Sequence, residues 1–171
     1  RQMCIRDRYL RGLLKGEKVE ETRIVDCVTR GINPYTNTDE FFDCAKNPDL
    51  RFIVSNTTEA GIEYKPNQNP DDFNGLTFPG RLTLFMKKRF DEGLGGFILL
   101  PCELIDKNGD NLKECILKYS VDWGYGGEFE KWIETENHFT NTLVDRIVTG
   151  YPRDNAKEME QSYGYLDDMI D

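Results

Sequence analysis

The run Gly95 to Ile105, GGFILLPCELI, is continuously apolar from Phe97 through Leu100. Such a run, bounded by Gly-Gly and Pro, suits a strand covered on both faces, as in a parallel sheet flanked by helices. A shorter run, RFIV at residues 51 to 54, precedes it. Between them, Pro79 to Glu92 places Leu82, Phe85, Met86 and Phe90 at i, i+3, i+4 and i+8, the apolar stripe of a helix. Strand, helix and strand in that order make a right-handed βαβ unit the simplest topology. The expected class is therefore α/β: a Rossmann-like, mainly parallel sheet with helices on both faces.

Further elements alternate in the same way. Residues 18 to 29, KVEETRIVDCVT, mix β-branched and polar residues and predict a half-exposed strand. Thr36 to Lys46 predicts a helix, with Asn37 three residues ahead of Glu40 in a capping arrangement and Pro48 barring extension. Residues 63 to 75 hold two prolines and no periodicity, which predicts a loop. Asn108 to Tyr119 carries a stripe of Leu112, Cys115, Ile116 and Tyr119. Short helices are expected over Glu128 to Glu136 and Asn155 to Tyr163, with strand or extended loop from 138 to 152.

Charge and cysteine usage exclude several classes. The net charge of −9 comes with no Lys/Arg cluster, which argues against nucleic acid or an anionic membrane as partner. No apolar run approaches the ~20 residues of a bilayer span. RQMCIRDR at the start leads into no apolar segment of the kind a signal peptide needs. Cys4, Cys27, Cys44, Cys102 and Cys115 are odd in number and form no CxxC, so neither a zinc ribbon nor a redox dithiol is written here. Free thiols of a reducing cytoplasm are the simplest reading, and no metal is expected. The chain opens with Arg1 and closes just after DDMID, and is read as a fragment of a longer protein.

In open parallel sheets ligands bind beyond the carboxyl ends of the strands. That rule selects Ser55, Asn56, Thr57, Thr58 and Glu59 after the first apolar run, and Cys102, Glu103 and Leu104 after the second. Short polar side chains leave room for a ligand, Ala60-Gly61 permits a close backbone approach, and a carboxylate such as Glu59 can accept from ribose hydroxyls. The same residues could equally form a turn bonded to its own backbone. Asn108-Gly109 reads as a turn or cap ahead of its helix. Asp145-Arg146 lies between Leu143-Val144 and Ile147-Val148, where charges are either paired with each other or used. His138, the one histidine, is expected to be packed. GxGxxG, P-loop, HExxH and GxSxG motifs do not occur.

Four segments, taken in order, go further. TRGINPY (29 to 35), VSNTTEAGI (54 to 62), ILLPCELIDKNG (98 to 109) and FTNTLVDRIVTGYPRD (139 to 154) together resemble the mannitol dehydrogenase family, of which VDRI is the hallmark. TRGINPY, NTTEAGI and the wording around VDRI are most similar to its tagaturonate reductase (altronate oxidoreductase) branch. The resemblance runs from Tyr9 to Asp171; residues 1–8 do not fit and read as a non-native leader.

The resemblance implies an NAD-dependent, cytoplasmic, two-domain enzyme interconverting D-tagaturonate and D-altronate in hexuronate catabolism. Residues 9–171 would form part of its NAD-binding Rossmann-type domain. The glycine-rich phosphate turn, the catalytic lysine and the helical C-terminal domain would lie outside, leaving the fragment inactive alone. By position, Ser55, Asn56, Thr57 and Glu59 would line the NAD, with Glu59 near the nicotinamide ribose. Asp145 and Asn141 would border the catalytic cleft. Leu104 stands where mannitol-specific members carry an asparagine, which favours a sugar acid as substrate. The alternatives are a sister enzyme acting on fructuronate, mannitol or mannitol phosphate, and a truncated, non-catalytic interaction domain.

Overall fold

The computed structural model describes residues 7–14, 17–24, 27–58, 60–143, 157, 158 and 161. The chain divides into two compact units, one formed by Arg1–Gly31 with Arg146–Asp171 and the other by Ile32–Asp145. In the first unit, β1 (Asp7–Leu14) pairs antiparallel with β2 (Glu17–Ile24), in register from Asp7↔Ile24 to Leu14↔Glu17. The sequence marked only the second strand. DRYLRGLL lacks a clean alternation of its own and is a strand because β2 supplies its partner. β1 starts at Asp7, inside the segment read as a leader. Residues 157, 158 and 161 are helical, within the span expected for the last helix.

The second unit runs α1 (Thr38–Ala45), β3 (Phe52–Ser55), a 3-10 turn (Phe73–Gly75), α2 (Phe78–Asp91), β4 (Ile98–Pro101), α3 (Asn108–Asp122), α4 (Gly127–Glu136) and β5 (His138–Phe139). Its strands form one parallel sheet in the order β3-β4-β5, with Ile53 opposite Leu99 and Leu99 opposite Phe139. The two apolar runs thus share a parallel sheet, as their pattern predicts.

Local chemistry sets the helix ends. Thr77 caps α2 by accepting from the Gly80 amide at 3.3 Å, with Pro79 in the first turn. Gly93, at φ 67°, lets the chain turn out of it. At α1 the expected cap takes another form. Asn37 makes no side-chain bond to a backbone amide and instead donates to Glu40 Oε2 at 3.3 Å.

Ile53, Leu99 and Phe139 face one core with Ala45 of α1, Leu82, Phe85 and Met86 of α2, Leu112 and Ile116 of α3, and Phe129, Trp132 and Ile133 of α4. Among the described residues, the helices of this unit pack through that cluster. The shorter run is not covered on both faces: Phe52 is 48% and Val54 65% exposed. Their side chains point away from the helix layer, on a strand with β4 on one side only among the described strands.

Arg89, 3% exposed, closes the amino ends of the strands. Its guanidinium donates to the carbonyls of Gly95 (2.8 Å), Ala45 (3.2 Å), Asn47 (2.5 Å) and Leu50 (3.2 Å), and lies 4.7 Å from the centre of the Phe97 ring. Burial lowers its pKa from the ordinary arginine value.

Candidate functional site at the carboxyl ends of the strands

Beyond the carboxyl ends of β3, β4 and β5, the chain forms a network of buried polar groups. Its centre is Glu103, 2% exposed and two residues past β4. Glu103 Oε2 accepts from the Ser55 hydroxyl at 3.0 Å. Its Oε1 accepts from the Thr57 amide at 3.1 Å and the Thr57 hydroxyl at 3.0 Å. The Cys102 amide donates to Ser55 O at 2.7 Å, so the two strand exits are joined through both backbone and side chain. None of the ion pairs among the described residues involves Glu103. A buried carboxylate without a cation needs such donors, and bonds to an ionised acceptor are the stronger kind.

Asn108, fully buried, holds the third strand exit. Its amide donates to the carbonyls of Pro101 (3.0 Å), Glu103 (3.1 Å) and Thr142 (3.0 Å) and to the Thr142 hydroxyl (3.3 Å), two hydrogens shared among four acceptors. Its side-chain oxygen accepts from the amides of Thr142 and Gly109, each at 2.9 Å. The Thr142 hydroxyl also bonds Pro101 O. Gly109 is required beside it, because a Cβ there would lie 2.4 Å from Thr140 O. Asn108 is therefore a clamp between β4 and β5, more than the local cap its Asn-Gly pattern suggested.

The candidates named from sequence fall into three groups. Ser55 and Thr57 converge on Glu103, and neither is seen bonding its own backbone; only Thr58 and Gly61 close a short turn, at 2.8 Å. Gly61 does approach something closely, but its neighbour is a side chain, with a Cβ there falling 1.7 Å from Thr57 Oγ1. Asn56 and Thr58 are exposed, and neither side chain has a hydrogen-bond partner among the described residues. Asn141 is exposed and sits at the start of α3, accepting from the Asp110 amide and donating to Asp110 Oδ2, both at 3.0 Å. Glu59, Asp145 and Arg146 lie outside the described residues.

Leu104 is 55% exposed beside buried Glu103, so this rim is apolar where a polar side chain could have stood. His138 is exposed at the start of β5, which corrects its reading as a packed residue; its backbone amide, not its ring, ties it to Phe97 O at 2.9 Å. Burial pushes the Cys115 thiol up from its usual pKa, as for an inert core thiol. Among the described residues no group of His, Cys, Asp and Glu is arranged to hold a metal ion, and no helix is long and apolar enough to cross a membrane. Two surface depressions, of 270 Å³ beside Tyr64 and Lys118 and 370 Å³ beside Phe90 and Trp132, do not border the carboxyl ends of the strands.

Glu103 and Asn108 carry more of this network than their local sequence indicates. A charged residue two positions after an apolar strand, followed by Asn-Gly at a helix start, was the available signal. Their partners Ser55 and Thr142 are 48 and 34 residues away.

A parallel sheet whose exits converge on a polar network, with amphipathic helices packed on it, defines a Rossmann-type domain. The chain belongs to the mannitol dehydrogenase family: residues 2–167 match its Rossmann domain. It is 46% identical to the altronate oxidoreductases of Cronobacter sakazakii and Shigella flexneri over 167 residues, 95% of this chain and 35% of each relative. It thus spans about a third of the length of those relatives. Among solved structures, Pseudomonas fluorescens mannitol 2-dehydrogenase in ternary complex with NAD and D-mannitol has the same fold, with a TM-score of 0.71 at 18% identity over 90% of this chain and 33% of that one. A substrate-free D-sorbitol dehydrogenase gives a TM-score of 0.70 at 21% identity, covering 89% of this chain and 34% of that one.

Proposed function

We propose that this chain is part of the NAD-binding domain of a cytoplasmic hexuronate reductase interconverting D-tagaturonate and D-altronate. The observation that carries this reading is the 46% identity to altronate oxidoreductases across 95% of the chain. The strand-end loop fits one half of the cofactor. Asn56 and Thr58 offer an amide and a hydroxyl, each both donor and acceptor, which suits ribose hydroxyls and a carboxamide. Neither a glycine-rich turn nor a cluster of cations accompanies them, so the pyrophosphate must be held by other parts of the protein.

When bound, the nicotinamide supplies or accepts the hydride. The residues of this chain orient and polarise. Asn56 and Thr58 hold the edge of the cofactor, anchored by Ser55 and Thr57 of the same loop, and Glu59 takes a ribose hydroxyl. Asn141, already fixed by Asp110, keeps one amide hydrogen and one lone pair for a sugar oxygen. Asp145 contributes negative charge at the cleft, and the apolar rim at Leu104 supports a sugar acid over mannitol. The base that moves the substrate proton is a lysine contributed by the rest of the protein.

The test is steady-state NADH oxidation by the full-length protein with D-tagaturonate, D-fructuronate and D-fructose. Tagaturonate should lead in kcat/KM by about tenfold or more. Asp145→Asn should lower that value by about tenfold, while the melting temperature stays within about 3 °C. Preference for another substrate, or no NADH-dependent reduction at all, would overturn the reading.

A further inference from the structure

We infer that Glu103 is a positioning residue for the cofactor: by binding Ser55 and Thr57 it sets how Asn56 and Thr58 are presented at the strand ends. The inference rests on the reading of this loop as a nicotinamide-cofactor site. Residues 56 to 58 leave β3 as irregular chain after Ser55, its last residue, and need an external constraint to keep one shape. Glu103 supplies it from the neighbouring strand exit, with three bonds to two residues of the loop. These bonds consume the Ser55 hydroxyl and both the amide and the hydroxyl of Thr57. The side chains left unengaged are those of Asn56 and Thr58, which flank Thr57 and are exposed. The loop therefore alternates anchors, Ser55 and Thr57, with presenting groups, Asn56 and Thr58.

The role calls for a carboxylate. All three groups facing Glu103 are donors, and a carboxylate offers only acceptors. A carboxamide of the same size keeps both Thr57 contacts only by turning its NH2 toward Ser55, whose hydroxyl must then reverse and accept; the charge-assisted contacts are lost and the loop is held less tightly. Asn108 holds the Glu103 backbone through its carbonyl at 3.1 Å, so the head group is aimed from a rigid base.

The test uses the full-length protein and NADH, with dissociation constants from fluorescence titration and melting temperatures on the same samples. Glu103→Gln should raise the NADH Kd about tenfold, and KM for NADH with it, while kcat at saturating NADH falls less than about threefold. Ser55→Ala should raise Kd about threefold, and the double variant should bind no worse than Glu103→Gln alone within about twofold, because both remove one contact. Glu103→Gln with a Kd within about twofold of wild type, whatever its melting temperature, would reduce Glu103 to a purely structural group. Should Glu103→Gln not fold, Ser55→Ala and Thr57→Val decide instead: unchanged Kd in both overturns the inference. Wild type that binds no NADH defeats the proposed function and this inference with it. Wild type that binds NADH while Glu103→Gln binds it equally well defeats the inference alone.

Discussion

Arg89 and Glu103 are both almost fully buried, at 3% and 2% exposure, yet they sit at opposite ends of β3 and β4 and are satisfied in opposite ways. Arg89, at the amino ends, donates only to backbone carbonyls, those of Ala45, Asn47, Leu50 and Gly95. Any residue types at those four positions would accept equally well, so this end holds the shape of the chain regardless of side chains. Glu103, at the carboxyl ends, takes two of its three bonds from hydroxyl side chains. That end depends on particular residues, and it is the end where a parallel sheet binds its ligands. The two charges separate scaffold from site within one small sheet.

The largest expected effect tests the scaffold end. Arg89→Met should destabilise the full-length protein by at least ~3 kcal/mol, because four carbonyls, that of Ala45 fully buried and the others partly so, lose their donor while the Met stem only partly fills the space. Urea unfolding measures the loss, and the molecules that remain folded should bind NADH as wild type does. A loss under ~1 kcal/mol would mean that water satisfies those carbonyls.

A matched pair of glycine substitutions sharpens the contrast. In Gly96→Ala the new Cβ would lie 2.1 Å from Glu136 O, at the amino end; in Gly109→Ala it would lie 2.4 Å from Thr140 O, at the carboxyl end. Both oxygens are backbone, so both variants should lose ~2–3 kcal/mol through forced displacement. Only Gly109→Ala should also reduce kcat/KM, by about tenfold, because it moves the segment bearing Asn141 and Thr142. Equal kinetic damage from both variants would erase the division between the two ends.

Thr77→Ala should cost ~1 kcal/mol through loss of the α2 cap, with kinetics unchanged, since the bond it makes to Gly80 lies away from the strand exits. A change in KM for NADH would extend the site to α2.

The smallest effect at neutral pH is expected for Tyr125→Phe, within ~0.5 kcal/mol. It appears only in alkali. Burial pushes the Tyr125 phenol up to about 12, and the hydrogen bond to Asp122 does the same for Tyr64. Both folded values lie above the ordinary 10.0, so the folded state holds these protons more tightly than the unfolded state. Their stability contribution is complete below pH 10 and is lost as pH rises toward 12. Tyr125→Phe should make the alkaline fall in unfolding free energy shallower; an unaltered alkaline limb would show that the phenol is not desolvated.

The sequence by itself determined β3 and β4, their parallel pairing and the helices of the second unit, while the pairing of β5 was left open. Apolar runs and i, i+3, i+4 stripes are properties of neighbouring residues along one chain, and Leu82, Phe85 and Met86 declare their helix face without reference to anything else. The strand-end rule also locates Ser55 to Thr58 and Cys102 to Leu104 from sequence alone. Tertiary structure alone decided the rest. Periodicity identifies Phe52 and Val54 as apolar but cannot report whether a layer covers them, and on this face nothing among the described residues does. DRYLRGLL becomes a strand only when β2 pairs with it. The loop from 63 to 75 has no pattern because its order is supplied from outside it. Gln68 accepts from the Tyr119 hydroxyl at 2.6 Å and from the Thr77 amide at 3.1 Å, and Trp123 donates to Gln68 O at 2.8 Å. The strand-end rule marked Glu103 for its position and the Asn-Gly pattern marked Asn108 as a turn residue, but neither signal reports that both side chains are buried. Their burial became tolerable only when folding brought Ser55, Thr57 and Thr142 within hydrogen-bond range, and a distance closed across 34 to 48 residues leaves no mark in local sequence.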